Sequence, residues 1–122
     1  MKKNFYPLLF IALFSLLQSC KKDQNLETKQ IVIDTTLASG ATYDLNLQPY
    51  GDADDVASIV KQAVNYTTSE ITNTTGTFAP VYHYSAFTKT GVTDQVVLSV
   101  AEGAGRRHHS DSTVITINFT VK

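Results

Sequence analysis

Three aspartates lie within four residues, at Asp52, Asp54 and Asp55, and their carboxylates are oxygen donors of the kind that calcium prefers. Calcium takes about six to eight oxygen ligands, so this segment needs further donors, for which Asp94 and Glu102 are the candidates. The ligand spacing of an EF-hand loop is absent. We therefore expect a solvated turn without a bound metal or cofactor, and keep the three aspartates as the calcium candidates.

A second group of chemically active side chains is the run Arg106-Arg107-His108-His109. Two histidines and a third, His83, have the right nitrogen donors for a transition metal. Adjacent residues of an extended segment point in opposite directions, however, so a shared ion is disfavoured. Arg106 and Arg107 are candidates for contact with an acidic glycan or a lipid headgroup. The alternative, which we favour, is an exposed hairpin tip.

Two tyrosines next to turn residues, Tyr50 and Tyr66, are candidates for an exposed sugar-binding platform. No nucleophile elbow of the form G-x-S-x-G occurs, and the carboxylates show no recognisable glycosidase pair. We therefore expect a protein that is not an enzyme. The other aromatic residues considered are expected to pack in the core or on the sheets: Tyr43, Tyr82, Tyr84 and Phe87.

Hydrophobic residues make up 43% of the 122 positions, and the formal net charge is −1. Removal of residues 1–19 takes away Lys2 and Lys3, which turns the net charge from −1 into −3. A mildly acidic domain lacks the basic stripe that binds a phosphate backbone, so we expect no nucleic-acid partner. The single cysteine excludes an internal disulfide and a zinc cage built from cysteines.

Alternating apolar and polar residues predict the elements that must position these groups. Residues 113–121 (TVITINFTV) place Ile115, Ile117, Phe119 and Val121 on one face, as in a half-buried strand. The same period-2 pattern predicts strands at residues 30–37, 41–48, 81–87 and 95–101. Turn-forming dipeptides separate them, among them Ser39-Gly40 and Thr90-Gly91.

The segment of residues 52–64 is ambiguous, because its apolar residues also fit helical spacing and its aspartates suit a helix N-terminus. The residues that follow are rich in β-branched types, which favour strands. We therefore interpret residues 57–63 as a strand, with a helical turn as the alternative, and expect another short strand at residues 67–72. About seven strands in residues 30–122 predict an all-β sandwich of immunoglobulin size.

Cys20 is the only cysteine and follows an apolar run in residues 6–17 that Lys2 and Lys3 precede. This arrangement is typical of a secretory signal and is short for a membrane span. Leu17-Gln18-Ser19-Cys20 resembles a bacterial lipobox, in which a small residue directly precedes the cysteine that becomes acylated. The alternative is a plain signal peptide in which Cys20 is incidental.

The lipobox resemblance implies a signal peptide at residues 1–19, lipid on Cys20 and a polar tether at residues 20–29. Two or three acyl chains anchor a protein stably, whereas one chain is marginal. Lys21, directly after the cysteine, is compatible by resemblance with sorting to the outer membrane. The expected location is thus the cell envelope, with the protein held on a membrane by its N-terminal lipid.

The C-terminal half resembles bacterial cadherin-like or Ig-like repeats of cell-surface proteins. Those repeats order their motifs as residues 59–62, 82–86, 91–103 and 114–121 do here, ending in a strand rich in Thr, Val and Ile. Asp94 can accept backbone N–H groups and tie its turn to the next strand. The resemblance implies an antiparallel Ig-like sandwich, sometimes with calcium in Asp-rich loops. It implies an interaction or structural role with an envelope protein or glycan; the alternative is a small carbohydrate-binding or adhesion module.

Overall fold

The computed structural model describes residues 27–103 and 111–122. Within these ranges no helix is long and apolar enough to cross a bilayer. A short 3-10 helix lies at Gln48–Tyr50. The strands are β1 (Thr28–Leu37), β2 (Thr42–Asn46), β3 (Asp55–Lys61), β4 (Tyr66–Thr72), β5 (Val81–Ala86), β6 (Thr93–Glu102) and β7 (Ser112–Val121).

The strands form two sheets, one with the order β1-β7-β6-β3 and the other with the order β2-β5-β4. The prediction of an all-β, two-sheet architecture with about seven strands is confirmed for the described residues. The expectation of purely antiparallel pairing is wrong at β1, which runs parallel to β7 from the pair Thr28–Ser112 to the pair Leu37–Val121. Parallel neighbours are not joined by a hairpin, so no local turn residue announces this pairing.

The core lies between the two sheets and is built by strict alternation along the long strands. On β7, Ile115, Ile117, Phe119 and Val121 are buried, as their spacing predicts. Leu47, directly after β2, is also buried, and the buried residues of the other strands include Ala57, Tyr82, Tyr84, Val96, Leu98 and Val100. Burial of one face of each strand is the main favourable contribution to folding, since it removes apolar surface from water.

The ambiguous segment is a strand rather than a helix. β3 pairs antiparallel with β6, and the buried Ala57 lies opposite the buried Val100. A register shift between Ile59 and Lys61 adds one residue, Val60, to this strand, as in a β-bulge. The bulge breaks the strict alternation, which explains why the same residues also fit helical spacing. β4 follows where the second short strand was expected, while β1 includes Thr28 and Lys29, which the sequence had assigned to the tether.

Candidate functional site

The buried carboxylate of Asp94 organises one end of the sandwich. Asp94 is 7% exposed and accepts hydrogen bonds from the backbone N–H groups of Val64 at 2.8 Å and Asn65 at 2.9 Å. It also accepts the N–H of Gln95 at 2.9 Å, and the Tyr84 hydroxyl lies 3.0 Å from its Oδ2. The sequence predicted that Asp94 accepts backbone N–H groups, but not that most of them come from the β3–β4 loop. The carboxylate therefore fixes this loop.

Burial makes two tyrosines harder to deprotonate than an exposed tyrosine. Burial, opposed by a hydrogen bond with Ser69, raises the pKa of Tyr82 to about 12. Burial, followed by the hydrogen bond to Asp94, raises the pKa of Tyr84 well above its usual value. The Tyr84 hydroxyl also lies 3.0 Å from the carbonyl oxygen of Asn65. At neutral pH both phenols are neutral hydrogen-bonding groups: Tyr84 joins the β3–β4 loop to the core, and Tyr82 bonds to Ser69 on β4.

The same end of the molecule exposes two large apolar side chains. Val64 is 74% exposed and Phe87 is 42% exposed. We call this the distal end, defined by residues 38–41, 62–65 and 87–92, because it lies at the opposite end of β1 from Thr28. Its loops are joined to each other: Ser39 Oγ donates to the Thr88 carbonyl at 2.5 Å, and Gly40 N–H donates to the Phe87 carbonyl at 3.4 Å. The exposed apolar groups thus sit on a fixed backbone.

The sequence only partly predicted that the side chains of Val64 and Phe87 are exposed. Alternation placed Phe87 on the opposite face of its strand from Tyr82 and Tyr84, and we expected its ring to pack in the core or on the sheets. Helical spacing grouped Val64 with the core residues of the ambiguous segment. The structure places Val64 beyond the end of β3, where the chain is held by Asp94 instead of by a strand partner.

A hydrogen-bonded line of three side chains crosses the outer face of the three-stranded sheet. Asp44 Oδ1 lies 2.6 Å from Nδ1 of His83, and Thr72 Oγ1 lies 2.8 Å from Nε2 of the same ring. The order of groups is that of a catalytic triad. The side chains of His83 and Asp44 are 33% and 62% exposed, and the pockets of about 230–480 Å³ found elsewhere on the domain are lined by other residues. We interpret the line as a cross-strand link on an open surface.

The four-stranded sheet has an outer face of short, mostly uncharged side chains. The register of its strands aligns Asp34, Asn118 and Gln95 across β1, β7 and β6. Asn118 Nδ2 donates to Asp34 Oδ1 at 2.8 Å, Gln95 Nε2 donates to Asn118 Oδ1 at 2.8 Å, and Lys61 Nζ donates to Gln95 Oε1 at 2.9 Å. We call Asp34, Asn118, Gln95 and Lys61 the charged row, because this line of hydrogen-bonded side chains has a carboxylate at the edge strand β1 and an ammonium group at the edge strand β3.

The aspartates of residues 52–55 form a turn that leads into β3. Asp55 Oδ2 accepts the backbone N–H of Asp52 at 2.8 Å, and the N–H of Asp55 donates to the Asp52 carbonyl at 3.0 Å. Glu102 lies opposite Asp55 in the sheet, whereas Asp94 lies at the other end of β6. In residues 27–103 and 111–122, no group of three or more His, Cys, Asp or Glu side chains is arranged to hold a metal ion.

The two candidate tyrosines do not form one exposed platform. Tyr50 and Tyr66 are both half-buried and pack against the core. Tyr50 follows β2 near the start of β5, whereas Tyr66 pairs with Ala86 at the end of β5. The structure therefore gives no geometric support to a sugar-binding role for this pair. The other candidates, Cys20, Arg106 and Arg107, lie outside the described residues, as do the signal peptide and most of the tether.

Comparison with known proteins gives structural likeness only. No family model and no curated protein matches the sequence. The structure of the cysteine protease inhibitor EhICP2 from Entamoeba histolytica is similar at 8% identity and a TM-score of 0.45, covering 80% of this chain and 98% of that one. The solution structure of Amebosin is similar at 13% identity and a TM-score of 0.38, covering 79% of this chain and 98% of that one.

Proposed function

We propose that this chain is a lipid-anchored protein of the cell envelope. In this proposal an Ig-like domain binds an envelope protein and catalyses no reaction. The observation that carries the binding role is the distal end, where Val64 and Phe87 are exposed on loops that Asp94 and the bonds between loops hold in place. Exposed apolar side chains on a fixed backbone favour binding, since little conformational entropy is lost on association.

The position of β1 supports the anchoring part of the proposal. Thr28, the first residue of β1, is eight positions after Cys20. A fully extended chain of that length spans at most about 26–29 Å. With lipid on Cys20, the end of the sandwich that carries Thr28 would face the membrane. The distal end would then point away from it, towards partners in the envelope.

The strand order supports an Ig-like sandwich. Labelled in chain order, β3, β6 and β7 form one sheet, as strands C, F and G do in an immunoglobulin domain, and β2, β5 and β4 form the other, as B, E and D do. β1 takes the place of a first strand that has joined the sheet of the last strand. In the Ig-like architecture the loops gather at the two ends of the sandwich, where binding surfaces are commonly built.

Anchoring is tested by the variant Cys20→Ala. We expect the wild-type protein to fractionate with membranes, to require detergent for extraction and to incorporate labelled palmitate. We expect the variant to lose the label and to appear as a soluble or uncleaved form. Lys22→Ala is a matched control that should behave as the wild type does. Identical membrane partition and identical mass of Cys20→Ala and wild type would contradict the proposal.

Binding through the distal end is tested by site-specific photo-crosslinking in the cells that make the protein. A photoreactive residue in place of Phe87 should give a discrete adduct with one protein, whereas the same residue in place of Glu70, exposed on the outer face of the three-stranded sheet, should not. Adding Val64→Asp to the Phe87 probe should weaken the adduct. Adducts of equal yield from both positions would contradict a binding role for the distal end.

A further inference from the structure

The outer face of the four-stranded sheet is covered by no other described segment and carries few charges. Its described residues carry two charged side chains, Asp34 on β1 and Lys61 on β3, and both are exposed. Neither has an ion-pair partner within the described residues. The face also exposes Val32 on β1 at 64% and Val60 on β3 at 65%. A face of short, mostly uncharged side chains with opposite charges on its two edges is suited to a partner of complementary charge.

We propose that this face binds a second copy of the chain, related by a two-fold axis that runs parallel to the strands between β6 and β7. Rotation about this axis leaves each residue at the same height along the strands, so that each cross-strand row of side chains faces the same row of the partner. It also reverses the order of the strands across the sheet. β1 of one copy then lies over β3 of the other. The Cα of Lys61 pairs with Val97, one row away from Gln95, but its side chain reaches along the face to Gln95 Oε1. Asp34 of each protomer therefore meets the Lys61 ammonium group of its partner, so that two ion pairs form from one self-complementary surface.

Hydrogen bonds within the charged row orient the side chains of Lys61 and Asp34 for this contact. Lys61 is directed along the face by its bond to Gln95, and Asp34 is held by its bond from Asn118. A groove of about 480 Å³, lined in part by Lys61, Val64 and Gln95, lies where the partner's β1 would be placed. In the same arrangement Val32 of each copy approaches Val60 of the other, which adds apolar contact beside each ion pair.

The size of the face suits a modest interface. Four strands with spacings of about 4.8 Å and lengths of about 30 Å give a flat area of roughly 500 Å². Side chains that project from the sheet make its accessible area larger than this flat area. The accessible area is then of the order of the roughly 800 Å² that each partner contributes to a standard interface. Two sheets packed face to face in this way would form a layer like the core of a β-sandwich.

The two-fold axis has a consequence for anchoring, and this part rests on the proposed function. An axis parallel to the strands leaves the Thr28 residues of both copies at the same end of the dimer. Both lipids on Cys20 could then insert into one membrane. Two anchored copies on one surface also meet at a high effective concentration, which favours a modest interface.

The experiment uses the mature full-length protein in detergent, with empty micelles in excess so that chains do not share a micelle by chance. Sedimentation should show a dimer whose fraction rises with protein concentration. A carbodiimide, which joins a carboxylate to an amine only in direct contact, should link Asp34 to Lys61. Within one protomer these residues are three strand spacings apart, about 14 Å, which is too far for such a link. Mixed isotope-labelled and unlabelled chains should show that the link joins two copies.

Exchange of the two charges distinguishes dimerisation through this face from dimerisation through any other surface. Asp34→Lys and Lys61→Asp should each raise the dimer dissociation constant about tenfold or more, since like charges then meet. The double variant should restore the dimer. Lys89→Asp, on the β5–β6 turn, is the control and should dimerise as the wild type does. Circular dichroism establishes that each variant is folded.

Three results would overturn the proposal: a monomer at every concentration, a dimer that both single variants leave intact, or a carbodiimide link only between other residues. These readouts do not depend on acylation of Cys20. Failure of the anchor is detected separately, in the fractionation of Cys20→Ala, so the two proposals can fail independently.

Discussion

The ring of Tyr84 stacks on the ring of Phe119, with centroids 3.8 Å apart and planes 5° apart. This contact joins β5 of one sheet to β7 of the other at the centre of the core. Tyr43 completes the cluster, with its ring edge-on to Phe119 at 5.5 Å. Because Tyr84 also lies against Asp94, the stacked pair connects the apolar core directly to the fixed loop of the distal end.

Phe119→Ala should be strongly destabilising. Loss of the stacked ring and the void that it leaves should lower the free energy of unfolding by about 3–5 kcal/mol. Thr116→Ala, on the opposite face of the same strand, should cost less than about 1 kcal/mol. Urea unfolding of dilute samples measures both. If Thr116→Ala were the more damaging change, the assignment of inward and outward faces on β7 would be wrong.

Asp94→Asn should be destabilising even though it preserves shape. One carboxylate oxygen becomes an NH₂ group, which cannot accept the N–H of Val64 or Asn65 and faces a donor instead. Leaving buried donors unsatisfied should cost about 2–4 kcal/mol. Asp52→Asn, at an exposed turn position, should change stability by less than about 0.5 kcal/mol. Equal effects of the two variants in denaturant unfolding would contradict the role given to Asp94.

The buried tyrosines predict a loss of stability at alkaline pH. Burial raises the pKa of Tyr82 from 10.0 to about 12, so that between these values the unfolded chain releases the proton while the folded chain keeps it. The unfolded state is then favoured as pH rises, by up to about 1.4 kcal/mol for each pH unit above 10 from Tyr82 alone. Thermal unfolding from pH 8 to 12 measures this. Tyr82→Phe should flatten the profile above pH 10, and an unchanged slope would contradict the assignment.

Residues 52–55 should not bind calcium tightly. Asp55 already accepts the N–H of Asp52, and residues 27–103 and 111–122 hold no group of three or more His, Cys, Asp or Glu side chains arranged for a metal ion. Calcium needs about six to eight oxygen ligands. We expect 1 mM calcium, like 1 mM magnesium as the control, to shift the melting temperature by less than about 1 °C, as weak binding requires. A rise of several degrees with calcium alone, abolished by Asp54→Asn, would show that this expectation is wrong.

The sequence by itself determined where most of the strands lie and, for β7, which face is buried. Ile115, Ile117, Phe119 and Val121 are inward because a strand alternates its side chains with a period of two, and this rule depends only on neighbouring residues. The bulge at Val60 shows the limit of the rule, since one inserted residue made a strand compatible with helical spacing.

Only the tertiary structure decided which strands are neighbours. The parallel pairing of β1 with β7 joins residues that are 84 positions apart, as in the bond from Asn118 to Asp34. The bonds of Asp94 to the β3–β4 loop follow from the same strand order. So does the line of side-chain hydrogen bonds that runs from Lys61 through Gln95 and Asn118 to Asp34. Local sequence specifies the period of a strand but not its partner, because the partner is selected by how all the strands together bury their apolar faces.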